Sequence, residues 1–193
     1  MQKGIKFRIY PNREQQNLIN QTLGCCRLIY NKGLAMRNEA YENGNKIDYS
    51  QTSAMLTELK RCEDFAFLKV VDSIALQQSL RDLDKGFVNF FQKRAAHPVF
   101  KSKHNRHQSY RTVNQGGNIR IAGKYIKLPK LGYVKIRQSM EVGKIKNATI
   151  EHTPTGKYFA VLNVEFESQP RPNNGGLIGI DVGIKEFYSD SNG

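Results

Sequence analysis

Hydrophobic and polar residues follow a two-residue period at the start of the chain and a helical period immediately after it. Residues 5–9 alternate between apolar and basic side chains, which predicts a half-buried strand. From residue 12 to about residue 41 the apolar positions recur every three or four residues, which predicts a long helix with one buried face. Gly24 and Gly33 are the positions at which this helix could kink or divide.

Two further helices are predicted before residue 97. Ser50 is the predicted N-cap of the second helix, and Asp72 is the predicted N-cap of the third. The apolar residues of the third helix have a 4-3-4-3 spacing, which marks one core-facing stripe. We expect its aromatic residues to belong to the core rather than to a platform for stacking bases. The stripe consists of Leu76, Leu80, Leu83, Phe87, Phe90 and Phe91.

Beyond Ala96 the pattern changes to short strands separated by turns that contain glycine. Many short strands at this spacing predict a small barrel or a sandwich. The strand at 5–9 has no partner nearby in the sequence, so we expect it to join this later sheet. The helices of 12–96 would then be an insertion into a β-domain. The predicted strands are Ser109–Val113, Asn118–Ile121, Tyr125–Leu128, Tyr133–Arg137, Ala148–His152 and Tyr158–Phe166.

Positive charge is concentrated in the same part of the chain. The net charge is +13, and residues 101–150, with 12 Lys and Arg against one acid, account for 11 of it. Arg120, Lys127 and Lys135 alternate with apolar residues, which places the cations on one outer face. Arg111 follows Tyr110, a pairing of cation and aromatic ring that suits a nucleic acid. The pattern predicts a polyanion-binding face, and a merely solvated basic surface is the alternative.

Composition argues against several other classes of protein. Three cysteines, two of them adjacent and none in a C-x-x-C pair, favour neither a disulfide framework nor a zinc site. No apolar run reaches the roughly 18 residues that a membrane span needs, so we predict a cytoplasmic protein without a membrane partner. His104 and His107 lie three residues apart in a basic loop. They are more consistent with solvated or phosphate-facing side chains than with a zinc pair.

The closing part of the chain contains one candidate for catalysis. Residues 169–176 are a linker by composition. After it, Asp181 interrupts an apolar run just before Gly183. A carboxylate in a buried strand is costly unless something pairs with it, and a divalent metal is one such partner. The alternative is an ordinary turn residue.

Several motifs together resemble the TnpB (OrfB) proteins of bacterial insertion sequences. They occur in the family's order over essentially the whole chain, and the last of them resembles the first RuvC-like nuclease motif. The motifs are Phe7-x-x-Tyr10-Pro11-Asn12, Leu23-Gly24-x-x-Arg27-x-x-Tyr30-Asn31, Ser79-Leu80-x-x-Leu83, Ser109-Tyr110-Arg111-Thr112, Ile126-Lys127-Leu128-Pro129-x-Leu131-Gly132 and Gly179-Ile180-Asp181-Val182-Gly183.

The resemblance implies an α+β fold. Its expected parts are a wedge-type, oligonucleotide-binding-like β-barrel, an inserted helical recognition bundle and the first strand of an RNase H/RuvC-like domain. The expected divisions are a first barrel strand at 1–10, the helical insertion at 11–97, the rest of the barrel at 98–168, the linker at 169–176 and the incomplete nuclease domain at 177–193.

The resemblance also implies function, because the family is similar to compact type V CRISPR nucleases and acts as RNA-guided DNA endonucleases. The implied partners are a guide RNA from the transposon end and target DNA with an adjacent motif. The implied readers of the DNA motif are Tyr49, Ser53 and Gln77. Val99 departs from the arginine that the family often has there. The residues expected to face RNA or phosphate are Lys101, Lys103, Tyr110, Arg111, Lys127 and Lys135.

By the same resemblance, Asp181 would be the first of three carboxylates that bind two Mg²⁺ ions. The family's later Glu and Asp and its C-x-x-C zinc ribbon are missing from the sequence. We therefore expect no cofactor and no DNA cleavage for this chain alone. Two alternatives stay open: a cleavage-deficient accessory or repressor protein that binds RNA and DNA, and a conventional helix-turn-helix DNA-binding transposase subunit.

Overall fold

The computed structural model describes residues 1–137 and 142–166, together with the backbone of two short strands beyond them. Its fold is α+β, as predicted. The elements in order are β1 (Gln2–Tyr10), α1 (Arg13–Glu42), α2 (Tyr49–Arg61), a 3-10 helix (Glu63–Lys69), α3 (Ser73–Phe91), β2 (Gln108–Val113), β3 (Arg120–Ala122), β4 (Tyr125–Leu128), β5 (Gly132–Ile136), β6 (Lys144–His152), β7 (Tyr158–Glu165), β8 (Ile180–Asp181) and β9 (Ser189–Asp190).

Seven of the strands form one antiparallel sheet in the order β2-β6-β7-β1-β5-β4-β3. The first strand lies in the middle of this sheet. It pairs with β7 along Gln2–Ile9 and with β5 at Ile9 and Tyr10. The expectation that the N-terminal strand joins the later sheet is therefore confirmed, because a strand without a local partner must satisfy its backbone elsewhere.

The side chain of Asn114 connects the two edge strands of that order. Its Oδ1 accepts a hydrogen bond from the amide of Ile119 at 3.0 Å, just before β3 begins. Its Nδ2 donates to the carbonyls of Ile119 and Ile145 at 3.0 and 2.9 Å. The end of β2 and the start of β3 are thus tied through one side chain. A closed, wedge-type barrel stays a prediction.

α1 is one uninterrupted helix of 30 residues. A capping box of Asn12 and Gln15 begins it. Gly33 does not kink the helix; it allows close packing, because a Cβ there would lie 2.9 Å from Leu80 Cδ2 and 3.0 Å from Leu83 Cδ2. The glycine that sequence suggested as a division point is therefore where α3 packs against α1.

Of the two other predicted N-caps, the one for α3 is confirmed and the one for α2 is wrong. Asp72 caps α3 and accepts a hydrogen bond from the amide of Ile74 at 2.9 Å, as expected. The cap of α2 is Asp48, not Ser50, and the prediction is wrong there. The carboxylate of Asp48 accepts from the amide of Ser50 at 2.6 Å, so Ser50 already lies in the first turn.

The stripe along α3 is buried as far as Phe87 but not at its end. Leu76, Leu80 and Leu83 are fully buried, whereas 71% of Phe91 is exposed. The prediction that these aromatic residues are core is wrong for Phe91. The reason is that the small cluster of Tyr30, Leu34, Leu83 and Phe87 ends one turn earlier, so α3 extends beyond the surface it packs on.

One main core joins the helices to the inner face of the sheet. Phe7 and Ile9 of β1 share it with Ile19 of α1, Leu76 of α3 and Val134 of β5. Among the described residues, no helix is long and apolar enough to cross a membrane. The predicted linker at 169–176 lies outside the described residues, and only β8 and β9 are described within 177–193.

Candidate nucleic-acid interface

The outer face of the sheet carries two rows in which tyrosines stand beside cations. In the first row Tyr10 of β1 pairs with Lys135 of β5, which in turn pairs with Tyr125 of β4. Paired residues on neighbouring strands project to the same side. The second row runs from Tyr133 of β5 to Lys127 of β4 and Arg120 of β3. We call these six residues the tyrosine–cation face.

The three rings of the tyrosine–cation face are half exposed, at 48% for Tyr10, 47% for Tyr125 and 49% for Tyr133. The prediction that strand alternation sorts apolar from basic residues is confirmed here. Ile126, Leu128, Val134 and Ile136 are buried on the opposite side of the same strands. The rings and cations thus lie where a solvent-borne ligand can reach them.

The electrostatics of this face are strongly positive. Residues 120–137 contain six Lys and Arg and no Asp or Glu. Arg120 donates a hydrogen bond to the hydroxyl of Tyr133 at 3.0 Å. That hydrogen bond, followed by the charge of the guanidinium, lowers the pKa of Tyr133. The hydroxyl oxygen of Tyr133 accepts this hydrogen bond, which links β3 to β5 across β4.

Two cations elsewhere on the outer sheet face are paired with acids, whereas the guanidinium of Arg8 on β1 lies over the rings of Tyr10 and Phe159. Lys6 contacts Glu151 at 2.5 Å, and Lys146 contacts Glu165 at 2.8 Å. The salt bridges found among the described residues include none of the cations of the tyrosine–cation face. The cations of β3, β4 and β5 without an acid partner among the described residues therefore form one positive patch that a polyanion could contact.

The proposed DNA-motif residues lie on two facing helices. The guanidinium of Arg81 on α3 lies 4.5 Å from the ring centroid of Tyr49 on α2. Ser53 is one turn from Tyr49, and Gln77 is one turn from Arg81, so each pair shares a helix face. Gln77 is exposed and Ser53 half-buried. The structure therefore brings the three predicted residues to one surface, the α2–α3 face.

A second contact between these helices sets their direction. Lys60 Nζ of α2 donates to Ser73 Oγ of α3 at 3.0 Å, at the end opposite to the Tyr49–Arg81 contact. The two helices are therefore antiparallel. Desolvation lowers the pKa of Lys60, and the nearby Asp72 opposes that shift. The α2–α3 face thus has a polar contact at each end.

The remaining predicted RNA-facing residues are placed differently. Lys101 lies over the ring of Tyr30, with Nζ 4.1 Å from the centroid, and desolvation lowers its pKa. Asn31 holds the backbone of Lys101 through two hydrogen bonds of 2.9 and 2.8 Å. Lys103 is exposed. Lys101 thus fastens the segment after α3 to α1, although it is exposed like Lys103.

Tyr110 and Arg111 do not form the expected surface pair. Tyr110 is buried in the main core with 6% exposed, and burial raises the pKa of its hydroxyl. Its ring has no free face for a base, so the expected stacking role does not fit. Arg111 forms an ion pair with Asp82 of α3. Because α3 packs on β2, the residues at this end of the sheet contact the helices.

Sequence reasoning missed four residues of these surfaces. Tyr10, Tyr125 and Tyr133 belong to the tyrosine–cation face, and Arg81 belongs to the α2–α3 face. Alternation contained the signal for two of them, since Tyr125 and Tyr133 stand two residues from predicted cations and so share their side of the strand. Tyr10 could be assigned to this face only from the pairing of β1 with β5, which the sequence does not specify.

Asp181, the predicted metal ligand, lies in the two-residue strand β8. The backbone of β8 pairs antiparallel with β9, Asp181 opposite Ser189. The side chain of Asp181 lies outside the described residues. Among those that are described, no three His, Cys, Asp or Glu side chains cluster as a metal site would require.

Comparison with known proteins gives three relatives and one domain. Residues 1–46 match a helix-turn-helix domain of the OrfB_IS605 type. The chain is 36% identical over 194 residues to the "Putative RNA-guided DNA endonuclease InsQ" of Escherichia coli (strain K12), covering 99% of this chain and 48% of that protein. It is 34% identical over 197 residues to a "Putative RNA-guided DNA endonuclease" of Streptomyces pristinaespiralis, covering 100% of this chain and 49% of that one.

The third relative is the virulence protein VsdF of Salmonella dublin, 34% identical over 116 residues, or 55% of this chain and 98% of that protein. The chain spans about half the length of the first two relatives. Within the matched residues 1–46, the structure has β1 and the single helix α1, and α2 begins only at Tyr49.

Proposed function

Because the chain belongs to the TnpB (OrfB) family of insertion-sequence proteins, we propose that it is the N-terminal nucleic-acid-binding region of a transposon-encoded RNA-guided DNA endonuclease. In this role it binds a guide RNA from the transposon end and reads a DNA motif beside the target. The observation that carries the proposal is the acid-free stretch 120–137, in which Arg120, Lys127 and Lys135 lie on one outer face of the sheet. The names of two relatives point the same way.

RNA binding is assigned to the cations of the tyrosine–cation face. Lys127, Lys135 and Arg120 belong to adjacent strands, which lie about 4.8 Å apart. Cations at that spacing can contact successive phosphates of the RNA and release the counterions condensed on it. Arg111 contributes less, because Asp82 already neutralises it.

Reading of the DNA motif is assigned to the α2–α3 face. Gln77 is exposed on a helix, and a glutamine amide can form two hydrogen bonds with an adenine base. Tyr49 holds Arg81 nearby, where the guanidinium can contact a phosphate and fix the position of the helix. Ser53 lies on the same side of α2 and can contact any base.

Cleavage is not assigned to this chain. Mg²⁺ bound by the family's carboxylates would supply polarisation of the phosphodiester and activation of a water. A single carboxylate at Asp181 does not fit two such ions, and the described residues hold no cluster that could complete the site. We propose that Asp181 contributes one ligand and that cutting DNA requires further carboxylates of the nuclease domain.

The test is purification of the chain under nuclease-free conditions, followed by sequencing of bound RNA. We expect a discrete RNA that maps to a transposon end. The proposal is wrong if no discrete RNA is bound and the chain binds duplex DNA alone with sequence preference. That result would favour the helix-turn-helix subunit, although α1 is a single helix across residues 13–42.

A second candidate is a stand-alone binding protein that does not cleave. The observation that favours it is a relative of which 98% aligns within part of this chain. The distinguishing experiment expresses the 193 residues with the bound RNA and measures transcription from a matched target. Repression without DNA breaks would support this candidate, and an inert complex would count against it.

A further inference from the structure

Three half-exposed tyrosines on one sheet face need an explanation beyond sheet stability. Tyr10, Tyr125 and Tyr133 come from three separate strands, yet all three project outward beside a cation on the neighbouring strand. The inner side of the same strands is closely packed, so these rings are not required by the core. Exposed rings beside cations suit a ligand that has both flat faces and negative charges.

The spacing within the tyrosine–cation face fits a nucleic-acid strand. Tyr10 and Tyr125 stand two strand spacings apart, about 10 Å, with Lys135 between them. Tyr133 lies diagonally between them, two residues from Lys135 along β5. Aromatic residues on neighbouring strands of an RNA-binding sheet commonly stack two or three bases. The cations between the rings are placed for the phosphates that link those bases.

The partner must offer unpaired bases. In an A-form duplex the base faces are covered by their neighbours, so a flat row of rings gains nothing from them. A tyrosine hydroxyl can donate a hydrogen bond to a phosphate, but the exposed ring face adds a contact that a base can use and a phosphate cannot. Only a single strand, whose bases can leave their stack, uses both components of this surface.

We propose that Tyr10, Tyr125 and Tyr133 stack on unpaired bases of the RNA while Lys127, Lys135 and Arg120 bind its phosphates. This inference rests on the proposed function and adds to it the part of the RNA that the sheet contacts.

The experiment compares two triple variants of the full chain. In one, Tyr10, Tyr125 and Tyr133 are each replaced by Leu, which removes the aromatic faces. In the other, each is replaced by Phe, which keeps them and removes only the hydroxyls. The probes are an oligouridine of about 15 nucleotides and the same strand with abasic positions, which retains the phosphates.

We expect the leucine variant to bind oligouridine at least about tenfold more weakly than the unmodified chain, and the phenylalanine variant to stay within about threefold. Abasic positions should weaken binding by the unmodified chain and leave the leucine variant unaffected. The salt dependence should be the same for all three proteins, because no charge has changed. Equal affinity of the leucine variant and the unmodified chain would overturn the inference.

A second measurement uses the unmodified chain alone and so does not depend on the folding of a variant. A 5-iodouridine strand is photocrosslinked to the protein, and the modified residues are mapped by mass spectrometry. We expect crosslinks at Tyr10, Tyr125 or Tyr133, and crosslinks confined to other regions would refute the stacking. Failure of the unmodified chain to bind any RNA would instead refute the proposed function.

Discussion

The guanidinium of Arg111 on β2 forms an ion pair with the carboxylate of Asp82 on α3, so a strand-borne cation in the basic half of the chain is committed to the helices. Both side chains are partly exposed, at 37% and 43%. A pair in that setting contributes about 0.2–1 kcal/mol to folding. Its main effect is to remove Arg111 from the charges that a nucleic acid can use.

For Arg111→Gln we therefore predict a loss in the free energy of unfolding of less than about 1 kcal/mol, measured by urea denaturation. RNA affinity should change less than it does for Lys135→Gln, which removes a cation of the tyrosine–cation face. If Arg111→Gln weakens RNA binding more than Lys135→Gln, the ion pair does not hold in the complex.

For the double variant Lys127→Gln/Lys135→Gln we predict a flatter salt dependence of RNA binding. Two lost phosphate contacts on a single strand reduce the slope of log K against log salt by about 1.4. The matched control is Lys6→Gln/Lys146→Gln, which removes the same charge from residues already paired with Glu151 and Glu165. An identical slope change in the control would locate the RNA elsewhere.

For Gln77→Ala we predict loss of discrimination at one adenine of the DNA motif, worth about 1–3 kcal/mol, with non-specific DNA binding unchanged. The neighbouring Gln78→Ala is the control, because Gln78 is half-buried and points to another side of α3. Binding of motif and scrambled DNA duplexes by the RNA-loaded chain measures the difference. Equal effects of the two changes would remove Gln77 from the motif-reading residues.

For Asp181→Ala we predict unchanged RNA affinity, because a carboxylate that serves a metal has no attraction for phosphate in the metal's absence. Filter binding of the co-purified RNA at one salt concentration is sufficient. A large decrease in affinity would mean that Asp181 supports the RNA site rather than cleavage.

For Gly33→Ala we predict destabilisation by about 1–2 kcal/mol, since the new methyl group meets Leu80 and Leu83 in a packed core. Gly24→Ala is the control within the same helix. A Cβ there would have its closest contact with Arg27 Nη2 at 3.9 Å, so the gain in helix propensity should stabilise the protein by roughly 0.5–1 kcal/mol. Urea denaturation of both variants measures the change in the free energy of unfolding. A change of the same sign in both variants would contradict the close packing at Gly33.

The fold was predictable where a pattern depends on local periodicity. The strand at 125–128 was found with its exact bounds, because apolar residues alternate there between two turns. The membership of β1 in the distant sheet was also deducible, since its backbone has no closer partner. The N-cap of α2 was misplaced by two residues, because Asp48 and Ser50 are both good caps and only the backbone conformation decides between them.

The candidate site was less predictable because it depends on pairing between distant strands. Tyr110 and Arg111 form an attractive motif in sequence. Because α3 packs on β2, however, Tyr110 is buried in the core and Arg111 forms an ion pair with Asp82. Conversely, Tyr10 was identified as part of a motif but not as a surface residue. Its position beside Lys135 requires a register that joins residues 125 positions apart.

The central position of β1 has a consequence for synthesis of the protein on the ribosome. Phe7 pairs with Ala160, so the strand made first waits for the last strand of the sheet. At common translation rates that interval is on the order of ten seconds. During it α1, α2 and α3 can form from local contacts, but the backbone of β1 and its apolar side chains remain without their partners. We therefore expect the helices to form before the seven-stranded sheet, whose central strand is completed only when β7 has been made.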